Sequence, residues 1–172
     1  PHPPPLRSLT PVSARRRAVL VAEAAASDMV GIEEIARDAF DTGRFALDVR
    51  LDPALSGRRY ANWARHSFRS PDQSLLKAQI DGALVGFFIL EHRADRSVYW
   101  HLTAVARRWQ GAGIGTSLWR TMLLRHRTEG VATVETTISG HNLAALNLYA
   151  RLGFTFTSPK MTYHLVAGEP KP

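Results

Sequence analysis

Residues 97–127 read SVYWHLTAVARRWQGAGIGTSLWRTMLLRHR, and this stretch decides the fold. Ser97–Ala106 is rich in β-branched and aromatic residues, which favours a strand. Within Thr116–Arg127 the apolar residues recur at helical spacing, at Leu118, Trp119, Met122 and Leu123. The glycine-rich segment Gln110–Gly115 lies between these two elements. The stretch therefore predicts a strand, a tight turn and a helix in direct succession.

The glycine-rich turn has the features of an anion-binding site. Glycine carries no side chain, so the backbone amides around Gly111, Gly113 and Gly115 can approach an anion closely. The following helix directs its unpaired N–H groups and the positive end of its dipole at the same point, an effect worth about 0.3–1 kcal/mol per charge. A pyrophosphate fits this arrangement, and an ordinary glycine-rich turn before a helix is the alternative. A P-loop is excluded because no lysine follows Gly115, and a dinucleotide-binding turn because its third glycine and its acidic residue are missing.

The elements on either side of this stretch are predicted from local patterns. Before it come a strand at 17–22, a helix beginning at Ser27 or Asp28, an irregular loop with a short helix at Tyr60–Phe68, and two strands, Ser74–Ile80 and Ala83–Glu91. Asp81-Gly82 between those strands favours a hairpin. After it come a strand at Val131–Ile138, a helix from Asn142 to Leu152, and two short strands, Phe154–Thr157 and Thr162–Val166. This order indicates an α/β protein with a mixed sheet.

A second motif, Asn142-x-x-Ala145-x-x-Leu148-Tyr149-x-x-x-Gly153-Phe154, lies on the last predicted helix. Together with Gln110-x-x-Gly113-x-Gly115 it resembles the signature of the GNAT acetyltransferases in order and in spacing, across 75–164. The resemblance implies the GNAT fold, with a central sheet of about six or seven strands, about four flanking helices, and a splay between the two parallel strands. We expect a single domain over 17–166, an extended lead-in at 1–16 and a tail at 167–172.

The resemblance implies acetyl-CoA as co-substrate, bound in the gap between the splayed strands, and no metal. It assigns the cofactor to Ala104, Val105, Gln110, Gly111, Ala112, Gly113, Ile114, Gly115, Thr116, Asn142, Ala145 and Tyr149. In these roles the Val105 amide faces the thioester and Asn142 touches the pantetheine arm, while Arg107 or Arg108 is a further candidate for phosphate. Tyr149 matches the family tyrosine that protonates the departing thiolate, a role that suits a phenol with a pKa of about 10.

The group that accepts the proton of the amine is less defined. An alkylamine resembles lysine, with a pKa of about 10.4, so it must lose a proton before it attacks. His101 is the first candidate, because strict alternation places its side chain on the same strand face as that of Val105. Glu91 and His92 end the preceding strand and are further candidates, and related enzymes often use ordered water. The sequence leaves the base open among these groups.

Acceptor choice in this fold comes mostly from the segment after the first helix. Here residues 41–48 and 57–63 resemble the corresponding part of the dTDP-fucosamine N-acetyltransferases, which acetylate the amine of a nucleotide-linked sugar. The predicted acceptor-binding residues are Phe45, Asp48, Tyr60 and Trp63, with Arg44, Arg58 and Arg59 as candidates for a diphosphate. The alternative is that Tyr60 and Trp63 form the buried face of a helix, since they are three positions apart.

Composition limits the functions that remain open. The chain has 172 residues and no cysteine, which excludes a thiol nucleophile, so any acyl transfer must avoid an enzyme thioester. We expect direct transfer in a ternary complex, without an acyl-enzyme. Its formal net charge of +7 favours an anionic ligand, for which we expect a nucleotide or cofactor rather than nucleic acid. No stretch approaches the roughly 18 apolar residues of a membrane span, so we expect a cytoplasmic protein with no membrane contact.

Two other functions are left open by the sequence. One is acetylation of protein N-termini or lysines, and the other is a catalytically silent module that binds CoA or associates with nucleic acid. A homodimer is possible for this family, and the sequence does not specify an interface.

Overall fold

The computed structural model describes residues 18–165. Its strands are β1 (Leu20–Glu23), β2 (Ser74–Ile80), β3 (Ala83–His92), β4 (Ser97–Val105) and β5 (Thr133–Thr136). Its helices are α1 (Met29–Ala39), α2 (Arg44–Leu47), α3 (Pro53–Arg69), α4 (Ile114–Thr128) and α5 (Leu143–Arg151). The strands form one sheet in the order β1-β2-β3-β4-β5, antiparallel except for the parallel pair β4–β5. The predicted α/β fold with a mixed sheet is confirmed.

The sheet is smaller than expected, with five strands among residues 18–165 instead of six or seven. No strand follows α5 as far as Leu165, so the strand predictions for Phe154–Thr157 and for the described part of Thr162–Val166 were wrong. Pro159 has no N–H for a ladder, and Ser158 has a φ of 51°, far from the extended region. The predicted lead-in at 1–16 and tail at 167–172 lie outside the described residues.

The helix α3 is longer than the short helix predicted at Tyr60–Phe68. The Asp52 side chain accepts a hydrogen bond from the Ala54 N–H (2.9 Å), and Pro53 occupies the first helical position. Both features stabilise a helix start, so α3 begins well before its aromatic residues. No helix within residues 18–165 is long and apolar enough to cross a membrane.

Helices cover both faces of the sheet, and each face has its own core. On one face α4 and α5 pack against residues that include Leu76, Phe88, Val98, Trp100 and Val105. On the other face α1 and α3 pack against residues that include Leu75, Phe87, Ile89, Leu102 and Ala104. These surfaces are called the α4/α5 face and the α1/α3 face below.

A bulge in β4 changes which of its side chains share a face. The β3 residues Ile89–Leu90 oppose three residues of β4, Trp100–Leu102, so His101 is the additional residue. Its ring lies 6.3 Å from that of Trp63, on the α1/α3 face, whereas Val105 belongs to the core of the α4/α5 face. The expectation that His101 and Val105 share a face was therefore wrong, because one additional residue shifts the alternation.

Candidate active site

The strands β4 and β5 separate partway along their length. Their pairing covers Ser97–Trp100 and Thr133–Thr136, and β4 then continues to Val105 after β5 has ended. At the point of separation the Thr136 hydroxyl donates a hydrogen bond to the carbonyl oxygen of Trp100 (2.9 Å). The predicted splay is confirmed, and it leaves a gap between the end of β4 and the chain that follows β5.

The end of β4 presents its backbone to this gap. The Ala106 amide donates to the Val85 carbonyl in β3 (2.8 Å), so alternation along the strand directs the amide and the carbonyl of Val105 away from β3. The Gln110 side chain donates to that Val105 carbonyl (2.9 Å). Gln110 thus joins the glycine-rich turn to the end of β4, and the Val105 amide remains directed into the gap.

Tyr149 projects from α5 to the point where the two strands separate. Its side chain is 2% exposed, and its ring packs edge-to-face on Phe154 (4.8 Å between centroids) and Trp119 (6.2 Å). Burial raises the pKa of Tyr149 above its ordinary value, while the side chains of Thr103, Trp119 and Thr136 around its hydroxyl oppose that rise. The phenol is therefore protonated at neutral pH and has a proton to donate.

The glycine-rich turn has the backbone that an anion site requires. Gly111 (φ 79°) and Gly113 (φ 76°) are left-handed, and α4 begins directly after Gly113. A Cβ placed on either glycine meets no heavy atom within 4 Å, so the surface of the turn is open. The first residues of α4, Ile114–Thr116, carry N–H groups that have no partner within the helix and point toward this opening. These residues, together with Ala112 inside the turn, fit the pyrophosphate of CoA.

Three other residues near the turn already have partners within the fold. The Asn142 side chain accepts from the Ala145 N–H (3.0 Å) and caps α5, as the predicted helix start requires. Arg107 donates to Asp41 (2.9 Å) and to the last turn of α1, and Arg108 donates to the Leu84 carbonyl (3.3 Å). Both arginines therefore join the turn to neighbouring elements, and the cofactor contact of Asn142 and Ala145 stays a prediction.

Glu91 and His101 form a hydrogen-bonded pair on the α1/α3 face. Glu91 Oε2 and His101 Nε2 are 2.7 Å apart, and Arg93 donates to the other carboxylate oxygen (3.2 Å). These hydrogen bonds, first from His101 and then from Arg93, hold the pKa of Glu91 below its ordinary value. The rings of Tyr99 and Trp63 lie 4.8 and 6.3 Å from that of His101. The pair is thus a fixed carboxylate and imidazole beside aromatic side chains.

The candidate acid and the candidate base lie on opposite faces of the sheet. Tyr149 belongs to the core of the α4/α5 face, and the Glu91–His101 pair lies on the α1/α3 face. His92, the third candidate for the base, lies 6.1 Å from the buried ring of His126 in α4, and so is separated from this pair by the sheet. The gap between β4 and β5 opens between these two groups.

The four predicted acceptor residues form a strip that ends at His101. Phe45 stacks on His164 (5.0 Å between centroids), and His164 Nδ1 lies 2.8 Å from an Asp48 carboxylate oxygen. Tyr60 and Trp63 stack on each other along α3 (6.4 Å) and are half-buried against the α1/α3 core. Tyr60 and Trp63 thus form a packed helix face in part, as the alternative expected, and the role of the four residues in acceptor binding stays a prediction.

His164 is a member of this strip that sequence reasoning missed. It lies 116 positions from Asp48, and no local pattern connects them. Arg50 donates to both Asp48 oxygens (2.8 and 2.7 Å), and these bonds, with that from His164, hold the pKa of Asp48 far below its ordinary range. Asp48 is thus a carboxylate at neutral pH, and in this structure it positions His164.

Comparison with known proteins agrees with the fold and the motifs. The model of the acetyltransferase (GNAT) family matches residues 30–154, and the chain belongs to this family. The PaiA N-acetyltransferase of Thermoplasma acidophilum, solved in complex with coenzyme A, superposes with a TM-score of 0.62 at 16% identity, over 83% of this chain and 93% of that one. At that identity the likeness shows the fold alone.

Two curated proteins are similar in sequence. The spore coat polysaccharide biosynthesis protein SpsD of Bacillus subtilis (strain 168) is 27% identical over 142 residues, which are 83% of this chain and 49% of that protein. The L-2,4-diaminobutyric acid acetyltransferase of Nocardia farcinica (strain IFM 10152) is 34% identical over 115 residues, which are 66% of this chain and 58% of that protein. The chain thus spans about half the length of these relatives.

Proposed function

We propose that this chain transfers the acetyl group of acetyl-CoA directly to the primary amine of a small molecule, with a nucleotide-linked aminosugar as the favoured acceptor. One observation carries the proposal: Tyr149 reaches the gap between β4 and β5 from one face, and the Glu91–His101 pair lies on the other. In this arrangement Tyr149 is the proton donor for the leaving group, and the Glu91–His101 pair is the proton acceptor for the nucleophile. The gap between them holds the acyl group.

The residues around the gap have distinct tasks in this reaction. Acetyl-CoA supplies the activated acetyl group when it is bound by the turn Gly111–Thr116. The Val105 amide, directed into the gap, donates a hydrogen bond to the carbonyl oxygen, where negative charge develops. His101, held through Nε2 by Glu91, receives the amine proton on its other ring nitrogen, directly or through water. Tyr149 donates its phenolic proton toward the departing sulfur.

The acceptor surface supports an amine carried on a ring. Trp63 lies directly beside His101, and it offers an aromatic face of the kind that packs against a sugar. Polysaccharide biosynthesis is named for one similar protein and a diamino acid substrate for the other, and both descriptions are compatible with a small amine. The resemblance of the acceptor segment to the dTDP-fucosamine enzymes favours the sugar.

The test is an acceptor panel with the purified chain and acetyl-CoA, read by CoA release and by the mass of the product. The panel contains nucleotide-linked aminosugars, free aminosugars, L-2,4-diaminobutyric acid, and peptides with free N-termini. We expect the highest kcat/KM for a nucleotide-linked aminosugar. Turnover of peptides alone would replace the proposal with protein acetylation, and CoA binding without turnover of any amine would favour a silent binding module.

A further inference from the structure

Two guanidinium groups converge on one aromatic ring at the far end of the acceptor strip. The Cζ atoms of Arg44 and Arg59 lie 5.0 and 4.3 Å from the centroid of Phe45, and Arg59 also lies 5.8 Å from the centroid of Trp63. Arg44 begins α2 and Arg59 lies within α3, so two separate elements bring the charges together. Both arginines are solvent-exposed.

Within residues 18–165, these two arginines differ from their neighbours in having no acidic partner. Arg58 pairs with Asp52 (3.3 Å) and Arg50 with Asp48 (2.7 Å), whereas the ion pairs within residues 18–165 include neither Arg44 nor Arg59. Their positive charges act on the nearby Tyr60 hydroxyl, where they oppose the rise in its pKa that burial causes. The two guanidinium groups over the Phe45 ring are therefore positive charges without a counter-charge in the described part of the chain.

The geometry of this pair suits phosphate. A guanidinium stacked on an aromatic face keeps its N–H edge free, and that edge binds phosphate oxygens in bidentate fashion. Two such groups beside one ring match the two phosphates of a diphosphate. Trp63 lies between the two arginines and His101. This order matches a ligand whose diphosphate contacts the arginines, whose sugar ring contacts Trp63 and whose amine reaches His101.

We propose that Arg44 and Arg59, supported by Phe45, form the subsite for the diphosphate of a nucleotide-linked acceptor. The inference rests on the proposed function for the identity of the acceptor. It assigns phosphate recognition to this pair and not to Arg58, whose charge Asp52 already compensates.

The test compares Arg59→Gln with Arg58→Gln, which remove the same charge from adjacent exposed positions of α3. Binding of dTDP and UDP is measured by calorimetry in the presence of saturating CoA, so that the nucleotide cannot occupy the CoA site. We expect Arg59→Gln to weaken nucleoside diphosphate binding by roughly tenfold or more, and the double variant Arg44→Gln/Arg59→Gln to bind more weakly still. Arg58→Gln is expected to weaken it by less than about twofold. The Kd for CoA, measured separately, is expected to be unchanged.

Three results would overturn the inference, and a fourth would separate it from the proposed function. Equal losses in Arg59→Gln and Arg58→Gln would indicate a general charge effect, and a parallel loss of CoA affinity would assign the arginines to the cofactor. The absence of dTDP or UDP binding to the wild-type chain would remove the subsite even if free aminosugars are acetylated. Nucleotide binding that depends on Arg59, without acetylation of any aminosugar, would leave the subsite standing and reject the proposed acceptor. Thermal unfolding of each variant verifies that it is folded.

Discussion

Replacement of Tyr149 by phenylalanine removes one oxygen atom from the point where β4 and β5 separate. The ring stays, so its packing on Phe154 and Trp119 is kept, and only the contacts of the hydroxyl with the side chains of Thr103, Trp119 and Thr136 are lost. The net loss of such hydrogen bonds costs about 0.5–1.5 kcal/mol of unfolding free energy. For a chain of this size that corresponds to a fall in Tm of roughly 1–6 °C.

The catalytic effect of Tyr149→Phe is expected to be much larger than its structural effect. Loss of a general acid lowers turnover by about 10²–10⁴-fold. The affinity for CoA is expected to be nearly unchanged, because the glycine-rich turn and the Val105 amide are untouched. The assay is steady-state CoA release with the best acceptor of the panel, together with calorimetric measurement of the Kd for CoA.

The matched control for this variant is Tyr163→Phe, which makes the same chemical change at a side chain that is 80% exposed. Its kcat is expected to equal that of the wild type. If Tyr149→Phe also turns over at the wild-type rate, the assignment of Tyr149 as the acid is refuted. If it loses activity only together with CoA affinity, Tyr149 is a packing residue of the cofactor site.

Two further predictions concern the turn and the core. Gly113→Ala forces a side chain into a left-handed conformation (φ 76°), so we expect a loss of about 1–2 kcal/mol of stability and weaker CoA binding. Gly140→Ala, at an open position that is not left-handed, serves as the control for stability. Equal stability of the two variants would contradict the argument. His126 is buried and accepts a hydrogen bond from Trp100 Nε1 (3.0 Å), and burial lowers its pKa below the ordinary 6.5. The unfolded chain then protonates His126 more readily than the folded chain does, so the free energy of unfolding should fall as the pH decreases below about 6.5. In His126→Gln this fall should be smaller between about pH 7.5 and 5.5. An unchanged slope in the variant would show that another group is responsible.

The sequence predicted the elements whose signals are local. The hairpin of β2 and β3 follows from Asp81-Gly82, and both residues have the positive φ (50° and 78°) that a tight hairpin turn uses. The glycine-rich turn lies between β4 and α4 as expected, and Asn142 caps α5. In each case a few adjacent residues determine the backbone, so no distant contact was needed.

Other features depend on contacts that no local pattern records. The face of His101 is set by a bulge, which appears only when β4 is paired with β3. His164 joins the acceptor strip from the other end of the chain. Arg58 and Arg59 are adjacent in the sequence, and only the structure shows that Asp52 pairs with Arg58, while Arg59 has no acidic partner within residues 18–165. The early start of α3 was missed for a different reason. Its local signal, Asp52 followed by Pro53, was present in the sequence and could have predicted it.

The most direct test of the account is the mass spectrum of a nucleotide-linked aminosugar after incubation with acetyl-CoA and the wild-type chain. The account predicts a product that carries one acetyl group on its amine, formed together with an equal amount of free CoA. An unmodified aminosugar under conditions in which the chain binds CoA, or acetylation found only on peptide N-termini, would contradict it.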